Sequence, residues 1–396
     1  MTLPASGFDP RSPDFRANPY PYYDLLRQAA PVFFWPAWGI WFLSRYDDCN
    51  ALLRDPRVGH GAMAFTAPAE QQPLFDMQAH WMLLKNPPDH TRLRGLVHKA
   101  FTPRIVEQMR GRIQAITDRL LDAVQGDGQA DLVAALAYPL PVTVIAELLG
   151  IPREDRAKFR EWSQAIIMGG STGADMEKVG GAALEFIMYF HEKFDERRAA
   201  PKDDLITALV QAEEAGDKLD PQELISMVFL LLVAGHETTV NLLGNGTLAL
   251  LQHPDQKQLL RDNPDLVRSA VEELLRYDGP VGVSTMRWAL EDVEYYGQVI
   301  PAGQMVVASL LAANRDPAAF ESPNRLDITR TPNKHIAFGN GIHYCVGAPL
   351  ARLEGAVAFN TLLRRLPNLA LAVDVGQLAW NPTILLHGPG SGGKPA

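Results

Sequence analysis

The stretch Phe338-Gly-Asn-Gly-Ile-His-Tyr-Cys345-Val-Gly347 places a cysteine after a glycine-rich loop and shortly before a predicted helix that begins at Ala348. A thiolate at a helix N-terminus is stabilised by the positive end of the helix dipole and by free backbone N–H groups. Cys345 is therefore a candidate metal ligand. A lone cysteine is more often a small buried apolar residue, so other parts of the chain must support the ligand role.

Composition excludes several classes of protein. The chain has 396 residues and a net charge of −9, and no long Lys/Arg run gives it the surface of a nucleic-acid binder. Its two cysteines, Cys49 and Cys345, exclude a disulfide framework. The first residues lack a signal-peptide pattern, and no apolar run reaches the roughly 18 to 20 residues that span a bilayer. We expect a cytoplasmic protein without a membrane anchor.

Hydrophobic periodicity predicts a mainly helical chain with a minor β part. The predicted helices are 22–30, 46–54, 89–101, 103–125, 131–149, 153–168, 174–198, 220–252 and 348–365, with two shorter ones after Pro254 and Pro264. Strand-like runs lie at 32–35, 40–43 and 281–309 and near the C-terminus, and a Pro-rich irregular segment spans 316–334. Glycines at 169–173 are predicted to separate two helices. We expect one large domain over 1–396, with 1–19 an irregular lead-in and 390–396 a loose tail.

Residues 58–84 combine Gly and Pro with scattered large apolar residues and show no clean period, which predicts a long loop. Its methionines and aromatic residues argue against disorder. The loop either packs on the core or forms a wall of a binding pocket. It contains no Lys or Arg, so it offers no fixed cation to a substrate carboxylate.

The predicted helix 220–252 is apolar on all sides from Met227 to Val233, which indicates an interior position. It continues as Ala234-Gly-His-Glu237-Thr238-Thr, which puts a carboxylate and hydroxyls in an apolar segment, where a charge is costly unless it is used or paired. Thr238 is expected to bond back to the Ala234 carbonyl and open a local gap, and an acid beside an alcohol suits proton delivery to a ligand. The alternative is a capped or kinked core helix in which Glu237 pairs with an arginine. A zinc-protease motif is excluded, because its second histidine would fall at Val240.

Two further sets of polar residues stand out. Glu273 and Arg276 are spaced to pair on one helix face. Four cationic or titratable residues would bind paired carboxylates if they converge. The sequence does not show whether they converge. They are His90, Arg94, Arg287 and His343.

Together, the patterns Phe338-x-x-Gly341-x-x-x-Cys345-x-Gly347, Glu273-x-x-Arg276 and Ala234-Gly-x-Glu-Thr238 resemble the haem-thiolate monooxygenases of the cytochrome P450 superfamily, in its soluble bacterial branch. The resemblance spans the whole chain, including Asn86-Pro-Pro-Asp-His90-Thr-Arg-Leu-Arg94. It implies a P450-type α+β fold with a long central helix and a cysteine-ligand loop. It also implies O2-dependent hydroxylation or epoxidation of a small molecule.

The resemblance assigns roles to these residues. Cys345 would be the proximal ligand of a haem b iron. Glu237 and Thr238 would relay protons to dioxygen; aspartate is the common acid at that position, and glutamate is a familiar variant. Glu273 and Arg276 would have a structural role, joining the segment around Asn324 to Arg325 and supporting the cysteine loop. The residues that would contact the haem or its propionates are His90, Arg94, Ala234, Arg287, Phe338, Gly339, Gly341, His343 and Gly347.

A substrate pocket and redox partners are also implied. The pocket would be lined by Phe65, Leu74, Phe75, Met82, Leu83, Ile167, Val233, Ala234, Val281, Val283, Ile384 and Leu385. The expected substrate is uncharged and mainly apolar, such as a terpenoid, a steroid or a macrolide-like compound. Electrons from NAD(P)H would arrive through a reductase and a separate ferredoxin or flavodoxin-type protein. A basic patch for that partner, or an ordinary solvated face, is formed by His98, Lys99, Arg104, Arg110 and Arg112.

Two other functions stay open at this stage. One is a haem-thiolate enzyme with a different outcome, such as a peroxygenase or a dehydratase, which the acid–alcohol pair disfavours. The other is a haem sensor without turnover.

Overall fold

α-Helices make up most of the fold. A computed structural model describes residues 9–10, 12–61, 72–172, 176–211, 213–214, 217–381 and 383–390. The α-helices in these ranges are α1 Pro13–Ala17, α2 Tyr20–Ala29, α3 Tyr46–Leu52, α4 Gln72–Ala79, α5 Asp89–Ala100, α6 Pro103–Gln108, α7 Arg110–Asp122, α8 Pro139–Leu149, α9 Arg156–Thr172, α10 Met176–Ala199, α11 Leu205–Gln211, α12 Pro221–Gln252, α13 Pro254–Asp262, α14 Val267–Tyr277, α15 Leu310–Asn314 and α16 Ala348–Arg365.

The β part is small. Its strands are β1 Val32–Trp35, β2 Ile40–Leu43, β3 Val58–Gly59, β4 Glu213–Glu214, β5 Asp217–Lys218, β6 Arg287–Ala289, β7 Val293–Tyr295, β8 Gln298–Ile300 and β9 Met305–Ala308. The main sheet has the order β1-β2-β9-β6-β3, and only the β2–β9 pair in it is parallel. The prediction of a mainly helical protein with a minor β part is therefore confirmed.

The fold divides into two compact units. The first comprises residues 1–61, 117–137 and 238–396, and the second comprises 62–116 and 138–237. In the first unit the sheet packs through Leu43, Val306 and Ala308 against Leu52 of α3, all of them fully buried. The expectation that the chain is a single domain stays a prediction.

The second unit has an aromatic core between α9 and α10. Phe159, Phe186 and Phe190 are fully buried, and the rings of Phe186 and Phe190 have centroids 4.5 Å apart. The unit also contains the first half of α12, which is the one helix of the described ranges long and apolar enough to cross a membrane. Since 67% of its most apolar stretch is buried inside the protein, it has the burial of a core helix.

Several predicted boundaries are wrong. Residues 58–84 are not one loop, because they contain β3, α4 and a 3₁₀ turn at Met82–Leu84; residues 62–71 lie outside the described ranges. The predicted helix 103–125 is divided into α6 and α7, and the predicted helix 131–149 consists of a π-helical turn, Val133–Ala137, followed by α8.

The glycine-rich connector and the C-terminal strands also differ from expectation. Helix α9 continues through Gly169 and Gly170 to Thr172, because packing against α10 outweighs the helix propensity of about 1 kcal/mol that each glycine loses. Within the described residues after α16, the β structure is limited to isolated bridges, Trp380 with Pro389 and Leu386 with Val281.

Candidate functional site

The cysteine loop is closed by its own backbone. The Cys345 N–H donates to the Phe338 carbonyl at 2.9 Å, across a 3₁₀ turn at Gly341–His343. Gly341 has φ +72°, and a Cβ there would lie 2.5 Å from the Leu53 carbonyl oxygen, so only glycine fits. The loop presents a half-buried Cys345 just ahead of α16, whose N-cap is Gly347. This position suits a thiolate that is accessible to a metal ion on one side.

Phe338 is held in place by a charged network that the sequence analysis missed. The Arg352 guanidinium lies over the Phe338 ring, 4.5 Å from its centroid. Glu272 accepts two hydrogen bonds from Arg352, at 2.6 and 2.8 Å, and contacts His335 Nε2 at 3.1 Å. Although burial alone raises the pKa of Glu272, the bonds from Arg352 and His335 lower it to about 2. The Phe338 ring is therefore fixed by an ionised, hydrogen-bonded pair.

Arg287 of β6 is a buried cation without a carboxylate partner in the described ranges. It is 4% exposed, and its Nη1 donates to the Leu53 carbonyl at 3.2 Å. Its Nε has no hydrogen-bond partner among the described residues. Burial lowers the pKa of the guanidinium. Removing an arginine from water without an acid beside it is costly, so this side chain fits an anionic group such as a haem propionate.

His60 contacts His343 and lies beside the strand that carries Arg287. It was not selected from the sequence. The rings of His60 and His343 meet edge-on with centroids 4.9 Å apart, and His60 is buried. Strand β3 pairs Gly59 with Trp288, which brings His60 beside the strand that carries Arg287. The signal available in the sequence was a histidine between two glycines.

His90 and Arg94 lie in the second unit. Both are on α5, four residues apart and hence on one face; His90 is buried and Arg94 half-buried. Their convergence with Arg287 and His343 stays a prediction.

Helix α12 carries the predicted proton relay. It is continuous from Pro221 to Gln252, so the gap expected near Ala234 does not appear as a break. Ala234 is exposed in the middle of an otherwise buried stretch, while Glu237 and Thr238 are half-buried. Burial raises the pKa of Glu237, and no arginine pairs with it among the described residues, which removes the kinked-helix alternative. A carboxyl that keeps its proton to higher pH beside an alcohol suits proton transfer.

His236 has a different environment on the same helix. It is fully buried, and its ring lies edge-on to that of Tyr138 with centroids 5.3 Å apart. Burial lowers the pKa of His236 to about 4, so the ring is neutral at pH 7 and acts as a core residue.

Glu273 and Arg276 of α14 form a fully buried pair. Arg276 donates to both Glu273 oxygens at 2.8 Å and to the carbonyls of Asn314 and Pro323 at 3.0 and 2.9 Å. Arg330 also donates to Glu273, at 3.1 and 3.2 Å. The pair thereby connects α14 to the irregular segment that precedes the cysteine loop.

The predicted pocket residues fall in both units. In the second unit Met82 is buried, Leu83 and Val233 are half-buried, and Ala234 is exposed. Phe65 lies outside the described residues, as do the side chains of Leu74, Phe75 and Ile167. The residues of the first unit are Val281, Val283, Ile384 and Leu385; Val283 is buried in the sheet's core, and Leu385 is 46% exposed. That these residues form one pocket stays a prediction.

Comparison with known proteins identifies relatives along nearly the whole chain. A protein-family model described as Cytochrome P450 matches residues 42–369. The chain is 45% identical over 392 residues to the polyketide biosynthesis cytochrome P450 PksS of Bacillus subtilis (strain 168), covering 96% of each protein. The solved structure of PksS matches with a TM-score of 0.90 and covers 96% of this chain and 97% of that one.

Two further relatives are enzymes by name. The chain is 46% identical over 384 residues to the cytochrome P450 monooxygenase PikC of Streptomyces venezuelae, covering 95% of this chain and 90% of PikC. It is 44% identical over 383 residues to the vitamin D(3) 25-hydroxylase of Pseudonocardia autotrophica, covering 94% and 93%.

Proposed function

The chain belongs to the cytochrome P450 family, and from that membership we propose that it oxidises an uncharged, mainly apolar small molecule such as a terpenoid, a steroid or a macrolide-like compound. The enzyme is a haem-thiolate monooxygenase that depends on O2 and on electrons from another protein. The outcome is hydroxylation of an unactivated C–H bond or epoxidation of a C=C bond.

The geometry of Cys345 is the observation that carries this function. The Cys345 N–H closes the loop through a 2.9 Å hydrogen bond to the Phe338 carbonyl, and the sulfur lies near the N-terminus of α16. Cys345 Sγ would hold the iron of a b-type haem. When bound, the haem supplies the activation of dioxygen, and the thiolate ligand favours cleavage of the O–O bond.

The haem carboxylates are held by cationic side chains. Arg287 and His343 of the first unit would bind them, with His60 beside His343. The support for this assignment is the burial of Arg287 without an acid partner among the described residues.

Glu237 and Thr238 control protons in the site. Burial raises the pKa of the Glu237 carboxyl, so it keeps a proton to higher pH than an exposed glutamate does. Glu237 supplies that proton and the Thr238 hydroxyl passes it toward dioxygen. The apolar stretch of α12 before Ala234 limits the access of bulk water to this position.

The substrate class is supported by charge and by the named relatives. Residues 58–84 contain no Lys or Arg, so that segment has no fixed cation for a substrate carboxylate. One relative is named for polyketide biosynthesis and another as a vitamin D(3) 25-hydroxylase. Electrons come from NAD(P)H through a ferredoxin or flavodoxin-type protein and its reductase, and the enzyme acts in the cytoplasm.

The thiolate ligand is tested by the spectrum of the reduced carbon-monoxide complex. We expect the wild type to show the Soret position of a thiolate-ligated haem and Cys345→Ser to lose it. Cys49→Ser is the matched control, because Cys49 is the only other cysteine and donates to the Leu43 carbonyl at 3.1 Å, a bond that a hydroxyl can also make. A thiolate spectrum in Cys345→Ser would contradict the assignment.

The relay is tested by coupling. Thr238→Ala should consume reducing equivalents while releasing peroxide instead of product, whereas Thr238→Ser, which keeps the hydroxyl, should stay coupled. Unchanged coupling in Thr238→Ala would refute the relay.

The substrate class is tested by a screen for haem spin-state shifts. Neutral polycyclic compounds should shift the spectrum at lower concentration than fatty or aromatic acids. The reverse order of affinity would exclude an uncharged substrate.

A further inference from the structure

A cavity of about 720 Å³ lies in the first unit and shares no residue with the sets assigned to haem and substrate. One wall is the C-terminal half of α12, with Thr247 and Leu248, and another is α16, with Phe359 and Leu362. Residues 128–133, 366–373 and 377–379 form most of the remaining sides. Protein interiors are close-packed, and sites for drug-sized ligands have volumes of roughly 300–1,000 Å³. The volume is thus that of a ligand site and far exceeds a packing defect.

The charged side chains of the lining already have partners. Asp131 and Arg365 are the only charged residues among the described residues that line the cavity. One oxygen of Asp131 accepts the backbone N–H groups of Val133 and Ala134 at 2.8 and 3.2 Å. Arg365 donates to the Asp118 carbonyl at 2.9 Å and to its carboxylate at 3.2 Å, and also to Asp122 and Gln125. A charged ligand would have to break these bonds, so charge complementarity selects an uncharged one.

The mouth of the cavity offers backbone hydrogen-bonding groups. Residues 370–373, Ala-Leu-Ala-Val, line it, and their backbone makes no hydrogen bond to the described part of the chain. Leu371 is 38% exposed. The other walls are mainly leucine, valine, alanine and phenylalanine. An occupant therefore needs an apolar body and one or two hydroxyl or carbonyl groups at its edge, since those groups can bond to this backbone.

We propose that this cavity is a second ligand site that binds one uncharged, mainly apolar small molecule carrying a few hydroxyl or carbonyl groups. The site is separate from the haem site, and its occupant is not the molecule being oxidised. Its wall on α12 begins at Leu243 and Gly244, five and six residues beyond Thr238, so the two sites share a helix but no side chain.

Binding of the neutral dye Nile red to the holoenzyme tests the proposal by equilibrium dialysis. Thr247→Phe places a ring inside the cavity and Ala372→Trp places one at its mouth. The controls are Thr247→Val, which changes polarity without filling space, and Ala302→Trp, which adds the same ring at an exposed turn outside the cavity. The reduced carbon-monoxide spectrum confirms that each variant is folded and carries haem.

We expect the wild type and both controls to bind one equivalent of dye in this cavity. Thr247→Phe and Ala372→Trp should bind that equivalent at least about tenfold more weakly, because a loss of about 1.4 kcal/mol in binding free energy gives a tenfold change. Equal dye binding in all five proteins overturns the proposal. Light scattering supplies a second criterion: if Ala372→Trp turns a dimer into a monomer, a second copy of the chain covers this surface, and the small-molecule site is refuted.

Discussion

Arg287 is a buried arginine without a carboxylate partner among the described residues, and we predict that it binds a haem propionate. It is 4% exposed, and its Nε has no hydrogen-bond partner among the described residues. A hydrogen bond between two charged groups contributes about 1.5–3 kcal/mol, so Arg287→Ala should release haem about ten to a hundred times faster. Haem transfer to apomyoglobin measures this rate. Arg287→Lys keeps the charge without the planar fork and should be intermediate, while Arg261→Ala, at an exposed arginine of the same unit, should have no effect. Equal rates of haem release in all variants would exclude Arg287 as a haem anchor.

Glu354 of α16 makes stability depend on pH. It is 1% exposed, its Oε2 has no hydrogen-bond partner in the described ranges, and burial raises its pKa to about 8. Because this folded-state pKa exceeds the unfolded value of about 4.3, the folded state holds the proton more tightly. The contribution of Glu354 to the free energy of unfolding is complete below the unfolded-state pKa. It is lost as the pH rises to about 8, and the loss is at most about 5 kcal/mol.

The measurement is the urea midpoint of unfolding as a function of pH. We expect the midpoint of the wild type to fall between about pH 5 and pH 8, and Glu354→Gln to remove most of that fall. Glu291→Gln, at an exposed glutamate, should reproduce the wild-type curve. A curve unchanged by Glu354→Gln would show that Glu354 is ionised or solvated in the folded protein.

Residue type predicts some site residues and not others. Cys345 is identifiable because glycines at fixed spacing precede it, and Arg287 because it stands alone in a strand region. Arg352 was missed, because only the fold brings its guanidinium over the Phe338 ring. His60 was missed for the same reason, since its contact with His343 spans most of the chain. Contacts at long sequence separation leave no periodic signal.

The pair on α14 is expected to dominate the stability of the segment before the cysteine loop. Glu273 and Arg276 are fully buried, so Glu273→Ala leaves an uncompensated guanidinium and should cost about 3–5 kcal/mol of unfolding free energy. Arg268→Ala, on the exposed face of α14, should change stability by less than about 0.5 kcal/mol. Urea unfolding followed by circular dichroism measures both. The double variant Glu273→Leu/Arg276→Met, which removes both charges, should be less destabilised than Glu273→Ala. If it is not, the loss comes from packing and not from the buried charge.

Elements with a strong local signal were predicted well. Strands β1 and β2 and helix α16 have the predicted bounds, and α12 differs by one residue. Pro221 is the first residue of α12, and Gly150, in the left-handed region, ends α8 at the predicted boundary. The errors occur where tertiary packing outweighs propensity: Gly169 and Gly170 continue α9, and α4 forms in a segment with no clean period.

At the scale of the whole molecule, the sequence predicted which residue types the site needs but not how they converge. Periodicity reports which face of an element is apolar, and it carries no information on which faces meet. The division into two units and the cavity beside α16 are consequences of packing between segments more than a hundred residues apart. The family patterns identified the candidate site residues, because the order and spacing of these residues along the chain match those of the family.

We expect the electron donor to bind at the exposed arginines of the second unit. Arg104 and Arg112 are exposed and have no salt bridge among the described residues, whereas Arg110 pairs with Glu107. An acidic donor protein would be attracted to the two unpaired charges, so Arg104→Glu/Arg112→Glu should lower ferredoxin-driven kcat/KM by roughly tenfold, and added salt should reduce the difference. Peroxide-driven turnover, which bypasses the donor, should be unchanged. Lys158→Glu, an exposed charge reversal on α9, is the control. If the double variant accepts electrons at the wild-type rate at low salt, the donor binds elsewhere, and the basic residues of α6 and α7 form an ordinary solvated face.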